Sequence, residues 1–174
     1  NALGDTEVRA YDPVGNLIQL TDYASRTTHY AYDALDRLTV ITDALGHVTR
    51  YGYDAIGNRT VVTDALGRVT RSWYDALGRP TRVTENYVDG LSDPLHPDED
   101  LNTFTFYDAA GNVIQITNPE FQITRFEYDA LDRLITTTNA LGDTEVRAYD
   151  AVGNLIRITD YASRTTHYAY DALD

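Results

Sequence analysis

The sequence predicts an all-β fold of tandem antiparallel hairpins, and three observations predict it. A Tyr-Asp pair returns every 21 residues, each unit carries two turn signals about ten residues apart, and the segments between turns are short and rich in β-branched residues. Self-similarity at such a period marks a repeat architecture, in which each unit stacks on its neighbours.

The first signal opens the units. Tyr11-Asp12, Tyr32-Asp33, Tyr53-Asp54 and Tyr74-Asp75 form one run, and Tyr107-Asp108, Tyr128-Asp129, Tyr149-Asp150 and Tyr170-Asp171 form a second. After each Tyr comes a turn of the kind DPVGN, DALDR, DAIGN, DALGR, DAAGN or DAVGN; midway through a unit lies another, DALGH at Asp43, DALGR at Asp64 and NALGD at Asn139. Asp or Asn at the first place can accept a hydrogen bond from backbone N–H two or three residues on. Gly at the fourth place, in Gly15, Gly46, Gly57, Gly67, Gly78, Gly111, Gly142 and Gly153, takes the left-handed conformation of a tight hairpin.

Between the turns lie the strands. One set reads LIQLT from Leu17, LTVIT from Leu38, TVVT from Thr60, VIQIT from Val113 and LIRIT from Leu155; the other reads TTHYAY from Thr27, VTRYGY from Val48, VTRSWY from Val69 and ITRFEY from Ile123. Alternation puts Thr49, Tyr51 and Tyr53 on one face and Val48, Arg50 and Gly52 on the other. Neither face is strongly apolar. A curved wall held by strand ladders and Tyr packing suits this pattern better than a two-layer sandwich with an oily interior. The structural competitor is a parallel β-helix with one rung per 21 residues; two reversing turns per unit favour the meander.

A longer period overlies the shorter one. Residues 1–36 return as residues 139–174 with three changes, Pro13/Ala151, Gln19/Arg157 and Leu20/Ile158, at an offset of 138 residues. That offset is five units of 21 plus an expanded one of 33 from Tyr74 to Phe106, with an insertion at about residues 85–102. The expectation is one continuous array over residues 1–174, read as a window on a longer one. If one supercycle is one turn of a tube, twelve to fourteen strands give a circumference on the order of 60 to 70 Å.

Composition narrows function. Fourteen Arg and no Lys face 27 acidic residues, a net charge of −13, which disfavours nucleic acid and anionic membrane as partners. Cysteine and methionine are both absent, so no disulfide or thiolate metal site is available. No apolar run approaches the roughly 20 residues of a membrane-spanning helix. No cofactor is expected.

Candidate chemistry is sparse. Asp22, Ser25 and His29 return as Asp160, Ser163 and His167; duplication inside a repeat argues for structural positions and not for a nucleophile with its base. The insertion gathers Asp89, Asp93, Asp98, Glu99 and Asp100, a weak Ca²⁺ candidate whose spacing does not match an EF-hand loop, so a solvated loop is expected. Arg50, Arg71 and Arg125, with His29 and His167 at the same phase, could bind acidic glycans or pair with turn aspartates of neighbouring strands, the favoured reading. Tyr30, Tyr51, Tyr168 and Trp73 could stack on sugar rings or pack along the wall.

The units YDALGR, YDAIGN, YDAAGN and YDAVGN, each followed by a strand and then by TDALGR or TDALGH, resemble the YD repeats of bacterial Rhs proteins, of toxin-complex cocoon subunits and of animal teneurins. The resemblance covers the chain apart from the insertion. It implies a β-sheet strip spiralling into a hollow shell, which in the Rhs and toxin-complex members encloses a C-terminal toxin and in teneurins belongs to a cell-surface adhesion molecule. The DPxGL core ending of Rhs proteins is not found here; the nearest string is VDGLSDP from Val88. The expected function is a noncatalytic structural shell, tube or filament outside a bacterial cell. Its expected partners are further copies of the repeat, glycans or an enclosed polypeptide.

Overall fold

The computed structural model describes residues 6–91 and 95–171. Within them the chain is strand and turn, with no helix. Contacts group the chain into two compact units, Asn1–Leu101 and Asn102–Asp174.

The first unit holds β1 (Val8–Tyr11), β2 (Leu17–Thr21), β3 (Thr27–Tyr32), β4 (Leu38–Thr42), β5 (Val48–Tyr53), β6 (Arg59–Thr63), β7 (Val69–Tyr74) and β8 (Pro80–Glu85). The second holds β9 (Leu101–Tyr107) from Asn102 onward, β10 (Val113–Thr117), β11 (Ile123–Tyr128), β12 (Leu134–Thr138), β13 (Thr144–Tyr149), β14 (Leu155–Thr159) and β15 (Thr165–His167). In each unit every strand pairs antiparallel with the next in the chain. Antiparallel pairing removes the parallel β-helix and bears out the meander.

The two hairpins of a repeat differ in register. Across the midway turn pairing is regular, as in Thr21↔Thr27, Leu20↔Thr28 and Gln19↔His29. Across the Tyr-Asp turn one extra residue enters the second strand: Tyr53 faces Arg59, Gly52 faces Val61, and Thr60 is left over. Such a bulge adds twist and bends the strand, and the same shift recurs in the other Tyr-Asp hairpins.

No hydrophobic side chain among the described residues is buried; the buried residues are Thr84, Asp100, Asn102 and Thr137. These strands form one layer, and what holds the layer is ladder bonding and the polar contacts of its turns, since no apolar interior supplies the usual burial term.

Most described residues of the insertion are exposed, as expected of a solvated loop, but the loop is tied down. Its Tyr87 N–H donates to the Val69 carbonyl at 2.7 Å, so it lies back along β7. Asp100 is 3% exposed, and its carboxylate accepts backbone N–H bonds from Val88 (2.9 Å), Asp89 (3.2 Å) and Gly90 (2.9 Å). A carboxylate that collects three backbone donors closes a loop that otherwise would leave them to water.

Candidate functional site

Chemistry-bearing side chains in this chain concentrate at the turns, which follow one plan. In the Tyr-Asp turn of the third repeat, Asp54 N–H donates to the Asn58 carbonyl and Gly57 N–H returns to the Asp54 carbonyl. Asp54 Oδ1 accepts from the N–H of Ile56 (3.1 Å) and of Asn58 (2.8 Å), and Oδ2 takes the Asn58 amide at 2.9 Å. Where the fifth residue is Arg, as at Asp33, the guanidinium Nε and Nη2 both reach Oδ2 at 2.8 Å. The midway turns do the same with Arg26, His47, Arg68 and Arg164. At Asn139 the polarity reverses, and its amide donates to Asp143 at 3.1 Å.

These bonds hold the turn aspartates below the usual carboxylate range. For Asp22, Asp33, Asp129 and Asp160 the leading cause is the hydrogen bond from the paired Arg. For Asp43 and Asp75 it is the backbone N–H of His47 and Arg79. For Asp12, Asp54, Asp64, Asp108 and Asp150 desolvation acts first and upward, and the combined backbone and side-chain hydrogen bonds outweigh it. The carboxylates are therefore structural acceptors, tuned away from proton transfer.

The repeat tyrosines act between strands. Tyr32 Oη donates to the Leu17 carbonyl at 3.0 Å, Tyr53 to Leu38 at 2.8 Å, Tyr74 to Arg59 at 2.8 Å, Tyr128 to Val113 at 3.0 Å, Tyr149 to Leu134 at 3.0 Å and Tyr170 to Leu155 at 3.0 Å. The β2–β3 ladder stops at Gln19↔His29, and the Tyr32 hydroxyl supplies the next bond toward the Tyr-Asp edge. Desolvation, with the charges of Tyr30 and Asp12, raises the Tyr32 pKa and keeps this donor protonated.

Turns on the Tyr-Asp edge are also bonded to one another. The Asn16 amide reaches Asp36 at 2.8 Å, and Arg37 passes over the Tyr53 ring at 4.7 Å to donate to the Asp54 carbonyl at 2.9 Å. The second unit repeats this with Asn112 to Asp132 at 2.8 Å, and with Arg133 over Tyr149 at 4.9 Å and on to the Asp150 carbonyl at 3.0 Å. All eight expected turn glycines have positive φ, from 74° to 107°. Ser25, Asp36, Phe121, Asp132 and Ser163 hold the same left-handed place without being Gly, at φ between 58° and 60°. At Asp36 and Asp132 the carboxylate gained is the acceptor for the neighbouring Asn.

Two features went unread in the sequence. The residue after the fourth place is always Arg, His, Asn, Gln or Asp, the complement of the first, and the Asn of an xGN turn precedes DALDR in both units. Both signals stand in the repeat.

Other expected sites change. Arg50 lies between Val40 and Thr63, Arg71 between Val61 and Thr84, and Arg125 between Gln115 and Thr138. Their cross-strand neighbours are neutral and the turn aspartates are taken within their own turns, so the expected strand-Arg to turn-Asp pairing does not form among the described residues. Arg71 instead lies 5.5 Å over Trp73 and 5.1 Å over Tyr87, while Arg82 covers Trp73 at 4.3 Å. Trp73 is thus packed, as the wall reading expects. Ser25 and His29 border one cleft, but the Asp22 carboxylate is spent on the Ala24 and Arg26 N–H groups and the Arg26 guanidinium. Of the Ca²⁺ candidates, Asp93 lies outside the described residues and Asp100 is occupied by backbone donors. No group of three acidic or His side chains placed to hold a metal occurs among the described residues.

The bulged antiparallel strip, the Tyr hydroxyl that latches each strand to the one before it and the Asn–Asp bond that stitches one turn to the next together define a repeat-built β-sheet. The chain belongs to the RHS repeat family, whose sequence model, described as RHS Repeat, matches residues 11–47, 34–69, 53–87, 107–144 and 149–174. Among solved structures, it resembles a chain of TcdB2-TccC3-Cdc42 with a TM-score of 0.72 and 20% identity, over 92% of this chain and 9% of that one. A chain of the Photorhabdus luminescens Tc holotoxin pore matches with a TM-score of 0.71 and 20% identity, over 89% of this chain and 9% of that one. TcdB2-TccC3 without its hypervariable C-terminal region matches with a TM-score of 0.73 and 19% identity, over 92% and 9%. The likeness establishes a shared fold, and this chain spans 9% of the length of those it matches. Among curated proteins no significant match is found.

Proposed function

We propose that this chain is a stretch of a noncatalytic wall, one continuous array of YD units that encloses space as a shell or tube outside a bacterial cell. The observation that carries the reading is the single antiparallel layer whose strands follow chain order and bury no hydrophobic side chain among the described residues. A globular catalytic domain gathers an interior and a pocket; this sheet invests its polar groups in joining each unit to the next. Bulges repeated in phase on one hairpin of every unit support curvature in a constant sense. Electron microscopy of the intact protein tests it: a hollow particle or filament is expected, and a solid globule or an open fibril refutes it.

Enclosure of a polypeptide is the second reading. The fold shared with TcdB2-TccC3 and with a Tc holotoxin pore favours it over glycan binding, and Arg71 and Trp73 are already engaged with aromatic or cationic neighbours. Mass spectrometry of purified particles would reveal a protected polypeptide inside; empty particles exclude cargo and leave a tube.

A further inference from the structure

Basic side chains of the strands that found no carboxylate share one surface of the sheet. Pairing sets His29 opposite Thr42, Arg50 opposite Thr63 and Arg71 opposite Thr84, and alternation along each strand puts them all on one face of the first unit. In the second unit Arg125 lies opposite Thr138 and Arg157 opposite His167, on the face that the repeat makes equivalent. These four arginines and both histidines are exposed, and Glu127 is the one carboxylate on that face among the described strand residues. The other face pairs Arg9 with Glu7 and Arg147 with Glu145, lays Arg59 over the Tyr51 ring and carries the rings of Tyr30 and Phe126. A chain of net charge −13 thus keeps one surface of its strands basic.

Solubility does not ask for this segregation, since the surplus of acid already supplies it. Spacing shows what the face fits. From His29 to Arg50, and again to Arg71, the step is two strands across and two residues along, about 12 Å on the diagonal. An extended polypeptide covers that step in about three to four residues. Beside His29, Arg50 and Arg125 stands a Thr hydroxyl, a second donor for a carboxylate that the imidazole or guanidinium holds. No ring flanks these three across the strands: their neighbours are Gln19 and Thr42, Val40 and Thr63, and Gln115 and Thr138. Sugar rings and bases are gripped by stacking, and Tyr30, Tyr51 and Phe126 stand on the other side of the sheet. The two copies of residues 1–36 agree with this, because one of their three differences, Gln19 to Arg157, sets a further cation directly opposite His167.

We propose that this face receives an extended acidic segment of polypeptide, its Asp and Glu carboxylates seated on the strand Arg and His side chains. Each carboxylate accepts from a guanidinium or imidazole N–H and from the neighbouring Thr hydroxyl. The inference goes beyond the wall reading and needs neither closure nor cargo, because the donors stand on the strands themselves. Single contacts about 12 Å apart make a salt-sensitive surface whose hold grows with the number of carboxylates presented.

Deca-glutamate carrying a benzophenone is the probe. It is mixed with the intact protein at low salt, and in a second arm it is present while the intact protein is unfolded in urea and refolded, which admits it to either side of a wall. After illumination, mass spectrometry maps the links. They are expected on the Arg50 face, at positions such as Val40, Thr63, Gln115 and Thr138, and to disappear in salt of about 0.5 M. Arg50→Gln with Arg125→Gln should lower the yield at those positions about tenfold, whereas Arg9→Gln with Arg59→Gln, which takes the same charge from the other face, should leave it in place. Links spread over both faces, a yield indifferent to the first pair of substitutions, or no link in either arm overturns the proposal. So does a heparin fragment that displaces the probe more effectively than unlabelled deca-glutamate, which would give the face to a sulfated glycan instead.

Discussion

Replacing Tyr53 by Phe takes away one oxygen while leaving the ring under the Arg37 guanidinium. The lost group is the donor to the Leu38 carbonyl at 2.8 Å, at the position where the β4–β5 ladder has run out of backbone pairs. A part-buried neutral hydrogen bond contributes about 0.5–1.5 kcal/mol net, so a cost near 1 kcal/mol is expected, roughly a fivefold rise in the local opening equilibrium. Tyr51→Phe is the control. It lies two residues away with Arg59 over its ring at 5.5 Å, and its change should stay within about 0.5 kcal/mol. Urea unfolding of both variants gives the difference in stability, and amide exchange in β4 and β5 gives the local opening. Equal losses from the two substitutions, or no loss from Tyr53→Phe, would refute the latch.

Acid should loosen the turns. Carboxylates held below their ordinary 3.8 contribute stability that is fully present above that value and is lost as pH falls through their folded pKa; Tm should therefore be flat from neutral pH to about 5 and drop below about 4, and a Tm unchanged to pH 2.5 would exclude the turn bonds as a source of stability. Gly78→Asp places a carboxylate where an added Cβ meets Asn58 Oδ1 at 3.3 Å, reproducing the Asn16–Asp36 stitch after an amide rotation; it should cost about 1 kcal/mol less than Gly67→Asp in urea unfolding, and equal costs would remove the stitch. Asp100→Ala strands three backbone N–H groups and should destabilise by about 2–4 kcal/mol, with proteolysis appearing first within residues 85–102. Calcium titration should leave the thermal midpoint of the intact protein in place, because Asp100 is already committed to backbone donors; a rise would restore the insertion as a metal loop.

The strand segments and turns were open to reading because both are local. LIQLT and LTVIT occupy β2 and β4 from first residue to last, and the Asp-x-x-Gly signal fixes where the chain reverses. What the sequence concealed depends on contacts 15 to 20 residues apart: the Tyr hydroxyl reaching the strand before its own, and Asn16 reaching the next turn. Reading each motif in isolation makes Asp36 a degenerate glycine, when it is an acceptor with a partner one repeat upstream. Within the insertion Asp100 is the exception, for a related reason. The loop's acidic, proline-containing composition reads as solvent-exposed, yet Asp100 is buried because backbone N–H groups, which composition never displays, converge on it.

Every latch and stitch between repeats spans no more than one 21-residue period. A genetic slip that adds or removes a whole period therefore leaves each repeat Tyr with a carbonyl one strand away, while the Asn–Asp stitch persists only where an xGN turn still precedes a DALDR turn. The close agreement between residues 1–36 and 139–174 points to copying of the larger 138-residue block, insertion included, which keeps every xGN turn ahead of its DALDR turn. Selection on this architecture can act on size first and on side chains afterwards.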